Sequence, residues 1–317
     1  MINKMCFEKL QPTREVLLGV LRYYNISTFT FEVITQGISN TTIKICSGGD
    51  IFIMRIYARK RRTDQQILFE LLFQDYLREK GIPIPHIYRN IAGKELTICN
   101  INKKEWQIIL IEFIDGSNKT IKHTPELIRL LASIQAKMHL FGAQFTHRAP
   151  GEDKSWKKLI DYYAVCLDDI SKYNKNIQDF IFHAKNFTYE LDSSLPRGYN
   201  HLDFDLDGNV IVRDNCIKGI IDFDDLSFSP SIVCLGYSLW NVLHDENIEK
   251  MKKYLMHYEK IRPLNDFERI ALPNIILFRN YEIGALRLFK TGNANCLIRP
   301  FQIEKEMNDV LSKGLWI

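Results

Sequence analysis

No stretch of this chain approaches the roughly 20 consecutive apolar residues needed to cross a bilayer. Its opening residues, MINKMCFEKLQPTREV, lack the apolar core of a signal peptide. Cysteine is sparse and scattered: Cys6, Cys46, Cys99, Cys166, Cys216, Cys234 and Cys296 are odd in number and none forms a C-x-x-C pair. Neither a disulfide framework nor a zinc site is therefore suggested. Internal repeats and low-complexity tracts are absent. The net charge of +4 is too small to argue for nucleic acid, and the basic run RIYARKRR at 55–62 carries no interleaved aromatic beyond Tyr57. These absences lead to the expectation of a soluble protein of the reducing cytoplasm, with neither membrane nor nucleic acid as partner.

What is present is an ordinary globular composition, 46% hydrophobic and 25% charged, in 317 residues. That length accommodates one large domain or two lobes with a real core. A helical pattern opens at Pro12-Thr13 with Val16, Leu17, Val20 and Leu21 on one face. Between 28 and 54 the texture becomes strand-like (FTFEVI, TTIKIC, IFIMRIY), with turns at 36–40 and 47–50, as in an antiparallel meander. A helix is expected over 64–80, ended by Gly81, Pro83 and Pro85. Strands are expected near 96–99 and 107–113, then helices over 125–140, 156–173, 177–191, 231–244, 248–261, 266–290 and 302–311. The pattern describes an α+β chain: a small sheet-plus-helix part over 1–113, then a larger helical part over 114–317.

One segment interrupts the helical part. Residues 200–225, NHLDFDLDGNVIVRDNCIKGIIDFDD, set His201, Asp203 and Asn209 ahead of an apolar run, 210–212. A turn and a second apolar run then deliver Asp222 and Asp224. A charged loop, a strand, a turn, a strand and more carboxylates make a hairpin that gathers acidic groups at one edge. Hard oxygen donors of this kind hold a divalent cation beside a phosphate and leave a carboxylate free to accept a proton.

The order of these features resembles the aminoglycoside phosphotransferase and choline kinase superfamily, small-molecule kinases with a bilobal protein-kinase-like fold. The likeness runs from about residue 28 to 280, and H-x-D…N followed by I-D-F-D-D is its most specific part. The resemblance implies Asp203 as catalytic base, His201 as support for the loop, and Asn209 and Asp222 as Mg²⁺ ligands to an ATP or GTP substrate. In the first part of the chain it implies phosphate contacts from Gly37, Ser39 and Asn40 in the turn between two strands. It also implies a basic strand residue, Arg55, oriented by Glu70, and adenine contacts from the backbone of Glu112, Phe113 and Ile114. The phosphate acceptor would be a hydroxyl of a small molecule such as an aminoglycoside or amino alcohol. Its candidate lining is Asp205, Asp224, Asp225, Trp240, Asp245, Arg279, Tyr281 and Glu282, with Arg262, Arg279, Arg287 and Arg299 open to an anionic acceptor instead. His139 reads as a core histidine, and the basic residues 59–62 as a solvated face.

The segment departs from the family pattern in one respect: five residues rather than four separate Asp203 from Asn209. A stretched loop of this kind motivates an alternative, a non-catalytic pseudokinase that binds nucleotide or a partner. A second alternative comes from the string D-x-D-x-D-G, with Asp203, Asp205 and Asp207 followed by Asp214 at the twelfth position, which has the spacing of a Ca²⁺-binding loop.

Overall fold

The computed structural model describes residues 8–36, 40–119, 122–149, 178–179, 182–183, 191–206, 208–291 and 293–313. The chain divides into two compact units. One comprises Met1–Gly116, Arg148–Pro150 and Lys218–Ile221, and the other comprises Ser117–His147, Gly151–Ile217 and Asp222–Ile317.

The first unit begins with α1 (Arg14–Leu21), whose N-cap Thr13 accepts from Val16 N. Next come β1 (Thr30–Gln36), β2 (Asn40–Ser47) and β3 (Asp50–Tyr57). Helix α2 (Asp64–Glu79) starts in a full capping box between Thr63 and Gln66, the arrangement that satisfies two orphan N–H groups at once. β4 (Ile87–Tyr88), β5 (Thr97–Ile101) and β6 (Lys104–Glu112) complete an antiparallel sheet of order β1-β2-β3-β6-β4, with β5 also paired to β6. Strand side chains alternate between the two faces, and helices cover both. Ile43, Ile45, Met54, Ile56, Ile108 and Leu110 pack with Leu17, Val20 and Leu21 of α1. Tyr57 and Ile109, of opposite parity, pack with Ile67 and Leu71 of α2.

The second unit is built on α3 (Pro125–Gln144), which extends four residues past its expected end, with Thr124 as N-cap and Pro125 in the first turn. α4 (Ser231–Asp245), α5 (Ile248–Glu259), α6 (Asp266–Thr291) and α7 (Ile298–Ser312) follow the acidic segment. α7 begins before its expected start because Pro300 falls in the first turn, where a missing N–H breaks no helical bond. The helices expected over 156–173 and 177–191 lie outside the described residues, apart from helical fragments at 178–179 and 182–183. Among the described residues no helix is long and apolar enough to cross a membrane.

Two short strands that the sequence pattern did not disclose, β7 (Arg197–Asn200) and β10 (Ser227–Pro230), pair antiparallel and close the acidic segment at its base. Between them, β8 (Val210–Arg213) and β9 (Cys216–Ile220) form a two-stranded hairpin. β7 lies directly on α3, and glycine makes that approach feasible. A Cβ on Gly142 would stand 2.1 Å from the Tyr199 carbonyl oxygen, and one on Gly198 would stand 2.7 Å from Ala143 N.

Gln135 joins three helices from inside the core. Its Nε2 donates to Ser238 Oγ at 2.7 Å, and its Oε1 accepts from Tyr254 Oη at 2.9 Å. One turn further along α3, His139 is buried as expected, with Nδ1 2.6 Å from Tyr258 Oη and Nε2 without a partner among the described residues. A protonated ring would need a second acceptor there. Burial first, and the Arg262 charge second, hold its pKa well below the ordinary value.

Gly142→Ala is expected to cost about 2 kcal/mol or more by overpacking. Gly19→Ala in α1 meets nothing within 4 Å and is expected to gain up to about 1 kcal/mol; denaturant midpoints decide between the two. His139 titrates near pH 6.5 when unfolded and lower when folded, so its stabilising contribution is complete above 6.5. That contribution fades as pH falls from there, because the unfolded state takes up the proton first. Relative to His139→Gln, the wild type is expected to lose up to about 1.4 kcal/mol more per pH unit below 6.5. Parallel stability curves for the two proteins between pH 7 and 5 would contradict this.

Candidate active site

The acidic segment leaves β7 at Asn200 and returns to β10 at Ser227, residues that face each other in the ladder. Asn200 reinforces the closure, its Nδ2 donating to the carbonyls of Gly198 and Ser229 at 2.8 Å each. Immediately past this base, His201 is buried with its ring edge-on to Phe223 at 4.4 Å. That contact packs the start of the segment against the turn that carries Asp222. His201 Nδ1 also accepts from Asp203 N at 3.3 Å.

Between His201 and Asp203, Leu202 takes a left-handed backbone, φ 61°. A residue of this bulk avoids that region at a cost of about 1–2 kcal/mol, and such strain concentrates at functional sites. The turn presents Asp203 to solvent. Asn209 lies close by despite the extra residue in the loop. Its Nδ2 donates to both the backbone oxygen and Oδ2 of Asp203, at 2.8 Å each, and its N–H bonds to Asp205 O at 3.1 Å. The loop is anchored from outside by Asn118 Nδ2 on Gly208 O at 2.6 Å and by the bridge between Ser117 and Val212. Asp207 is outside the described residues.

With Nδ2 committed to Asp203, Asn209 Oδ1 accepts from no donor among the described residues. Asp222 follows the hairpin in a left-handed conformation, φ 63° and ψ 65°, at the head of a short 3-10 turn, Phe223–Asp225. An amide oxygen and a carboxylate suit a hard divalent cation that keeps its remaining sites for phosphate oxygens and water. Asp224 is buried in the same turn, and Asp225 is exposed.

The calcium-loop alternative meets a different geometry. Where the loop would continue, β8 runs instead. Asp214 and Asn215 sit at φ 53° and 55° in the hairpin turn, a pairing that matches a type I′ turn. The Asp214 side chain is 90% exposed. Among the described residues no three His, Cys, Asp or Glu side chains converge on one point.

The acceptor candidates of the helical unit separate into groups. Arg279 and Glu282 form an ion pair at 2.8 Å, with the guanidinium carbon 4.2 Å from the Tyr237 ring centre and 6.0 Å from that of Trp240. Trp240 also donates through Nε1 to Asn280. Tyr281 is engaged elsewhere, donating to Glu304 of α7 at 2.7 Å. Asp245 pairs with His244, whose other ring nitrogen meets Arg287. Tyr237 was not among the sequence candidates; a tyrosine inside an apolar helix gives no signal of its own.

In the first unit, Asn40 is buried and its Oδ1 accepts from Ala58 N at 3.2 Å, while Gly37 and Ser39 lie outside the described residues. Arg55 stands over the Tyr57 ring at 5.4 Å, on the sheet face that carries α2. The expected partner Glu70 is 1% exposed and accepts from Gln74 Nε2 at 2.9 Å and from the guanidinium of Arg62. Arg62 therefore departs from the solvated-face expectation, with a side chain only 14% exposed; a run of four basic residues hides which of them turns inward. The Glu112 N–H is used by the His86 carbonyl, Phe113 carries Lys44 over its ring at 4.7 Å, and Ile114 packs where Gly219 has no side chain.

Removing one member of a buried ion pair leaves the other charge poorly compensated. Arg62→Met is accordingly expected to lower stability by on the order of 3 kcal/mol. Arg59→Met, whose partner Glu8 is exposed, is expected to leave the denaturant midpoint nearly unchanged. Equal effects would restore the solvated-face reading.

Comparison with known proteins agrees with this architecture. Solved structures share the fold over nearly the whole chain. An amicoumacin kinase in complex with AMP-PNP and Ca²⁺ has a TM-score of 0.68 at 19% identity, covering 94% of each chain. A microcompartment-associated aminopropanol kinase has a TM-score of 0.69 at 17% identity, covering 96% of this chain and 99% of that one. Among curated proteins, the homoserine kinase of Parvibaculum lavamentivorans is 26% identical over 82% of this chain and 80% of its own length. That of Rhodospirillum rubrum is 27% identical over 84% and 83%. Residues 30–272 match the family described as "Phosphotransferase enzyme family". The chain, with its antiparallel sheet unit, its helical unit and its protein-kinase-like fold, belongs to that family.

Proposed function

We propose that this protein is an Mg²⁺-dependent kinase that moves the γ-phosphate of ATP or GTP to a hydroxyl of a small amine-bearing molecule, with homoserine the first acceptor to test. The observation that carries the proposal is the pairing of Asn209 with Asp203 in the segment that also carries the left-handed turn at Asp222. Homoserine enters because the curated relatives named above are homoserine kinases.

In this reading the acceptor hydroxyl oxygen attacks the γ-phosphorus, the bond to the β–γ bridging oxygen breaks, and the nucleoside diphosphate leaves. The hydroxyl proton passes to the exposed carboxylate of Asp203. Asn209 Nδ2 fixes that carboxylate, and the Leu202 turn aims it. Asn209 Oδ1 and Asp222 are assigned to the cation, which when bound neutralises charge on the phosphate oxygens. On the sequence grounds given above, Gly37, Ser39, Asn40, Arg55 with Glu70, and the backbone of 112–114 are assigned to the nucleotide. The longer Asp203–Asn209 spacing, the motive for a non-catalytic reading, leaves the two side chains hydrogen-bonded, which supports an active enzyme.

Asp203→Asn is expected to lower kcat about 10²–10⁴-fold while nucleotide affinity stays within a few-fold. Asp222→Ala is expected to remove the Mg²⁺ dependence of nucleotide binding. Coupled release of nucleoside diphosphate in the presence of homoserine and an amino-alcohol and aminoglycoside panel reads the first, and calorimetric titration reads the second. Undiminished phosphoryl transfer by Asp203→Asn would sink the assignment of the base.

A further inference from the structure

Four arginines of the helical unit are open, on sequence grounds, to an anionic acceptor, and the structure distinguishes them. Arg262 bonds Glu268 at 2.7 Å. Arg287 donates to His244 at 2.7 Å. Arg299 bonds Glu306 at 2.6 Å and caps the end of α4 through the carbonyls of Leu243 and His244. Arg262 Nη1 and Arg279 Nε are both buried without a hydrogen-bond partner among the described residues. Arg262 lies beside Tyr258 and His139, however, and Arg279 differs in where it lies.

Glu282 takes only Nη1 of Arg279. Nε is buried and has no hydrogen-bond partner among the described residues, and the side chain keeps 14% of its surface exposed. The remaining Nε–Nη2 edge is the side that grips a carboxylate with two parallel bonds. A buried guanidinium N–H without an acceptor costs free energy, so this edge is ready for a ligand anion. The Tyr237 and Trp240 rings beside the guanidinium hold its plane.

The same helix ties this group to the catalytic loop. Tyr237 immediately precedes Ser238, whose Oγ donates to Phe204 O at 2.9 Å, next to Asp203. One turn earlier, the Cys234 thiol lies against the backbone N–H of Leu202. The charges agree with this placement. Burial disfavours the Arg279 cation, yet Glu282, Tyr237 and Asp203 together raise its pKa above the usual arginine value.

We infer that Arg279 is a specificity-determining residue, receiving a carboxylate of the molecule whose hydroxyl Asp203 activates, so that the acceptor is a small hydroxy acid rather than an amino alcohol or an aminoglycoside. The inference rests on the kinase reading. It requires that one molecule reach from Arg279 to the loop residue Asp203, whose neighbours Leu202 and Phe204 the same helix touches through Cys234 and Ser238.

A matched pair of acceptors tests it: homoserine, and 3-aminopropan-1-ol, which is homoserine with its carboxylate replaced by hydrogen. The wild type is expected to favour homoserine in kcat/KM by about 100-fold. Arg279→Met is expected to lose that preference mainly through KM, while its rate with 3-aminopropan-1-ol changes by less than about threefold. If removing the charge leaves Glu282 uncompensated and the protein unfolded, the double variant Arg279→Met/Glu282→Met removes both charges and is read in the same way. An equal loss on both acceptors makes Arg279 a structural residue. A wild type that works only on acceptors without an acid group overturns the inference and leaves the kinase reading standing. No consumption of ATP or GTP with any acceptor overturns the kinase reading itself.

Discussion

A ladder of four residue pairs constrains the whole candidate site. β7 and β10 bring Asn200 opposite Ser227, so the intervening residues leave and return at one point, and loop-closure entropy is met at the base rather than at the tip. β7 holds its place because Gly142 and Gly198 let a strand lie on a helix at backbone distance. Once the base is fixed, the His201–Phe223 ring contact needs little further ordering. Asp222 adjoins Phe223, and Asp203 lies two residues past His201, where Asn209 holds it by two hydrogen bonds.

Much of this was legible in the residues. His201, Asp203, Asn209 and Asp222 stand in an order interrupted by apolar runs, and the period-2 texture of 28–57 gave the meander. The closing ladder was not legible. RGYN and SFSP are four residues each, carry glycine, proline and serine, and alternate in no way that periodicity detects. Arg62 was hidden differently, because its neighbours carry the same charge and only the buried Glu70 tells it apart. Whether the extra residue before Asn209 breaks the pairing with Asp203 was equally beyond a count of spacings, since a loop residue can be absorbed without moving its ends.

The helical unit shows a related division of labour. Gln135 connects α3, α4 and α5 through neutral hydrogen bonds between buried side chains, which fixes helix register without burying a charge. Charges are buried at its periphery, where Arg279 meets Glu282 and Arg262 meets Glu268. Ser238 belongs to both systems, accepting from Gln135 and donating to Phe204. A single hydroxyl thus links the packing of three helices to the loop that carries Asp203.

Leu202 gives this linkage a thermodynamic direction. Its left-handed backbone is uphill by local preference and persists because the surroundings hold it. The loop therefore draws its shape from the free energy of the unit around it. When that packing loosens, the leucine gains by relaxing to a right-handed conformation, and the aim of the next residue is lost before any helix melts. Thermal inactivation of such a protein is expected to precede its unfolding, with an interval that grows with the strain held at that one residue.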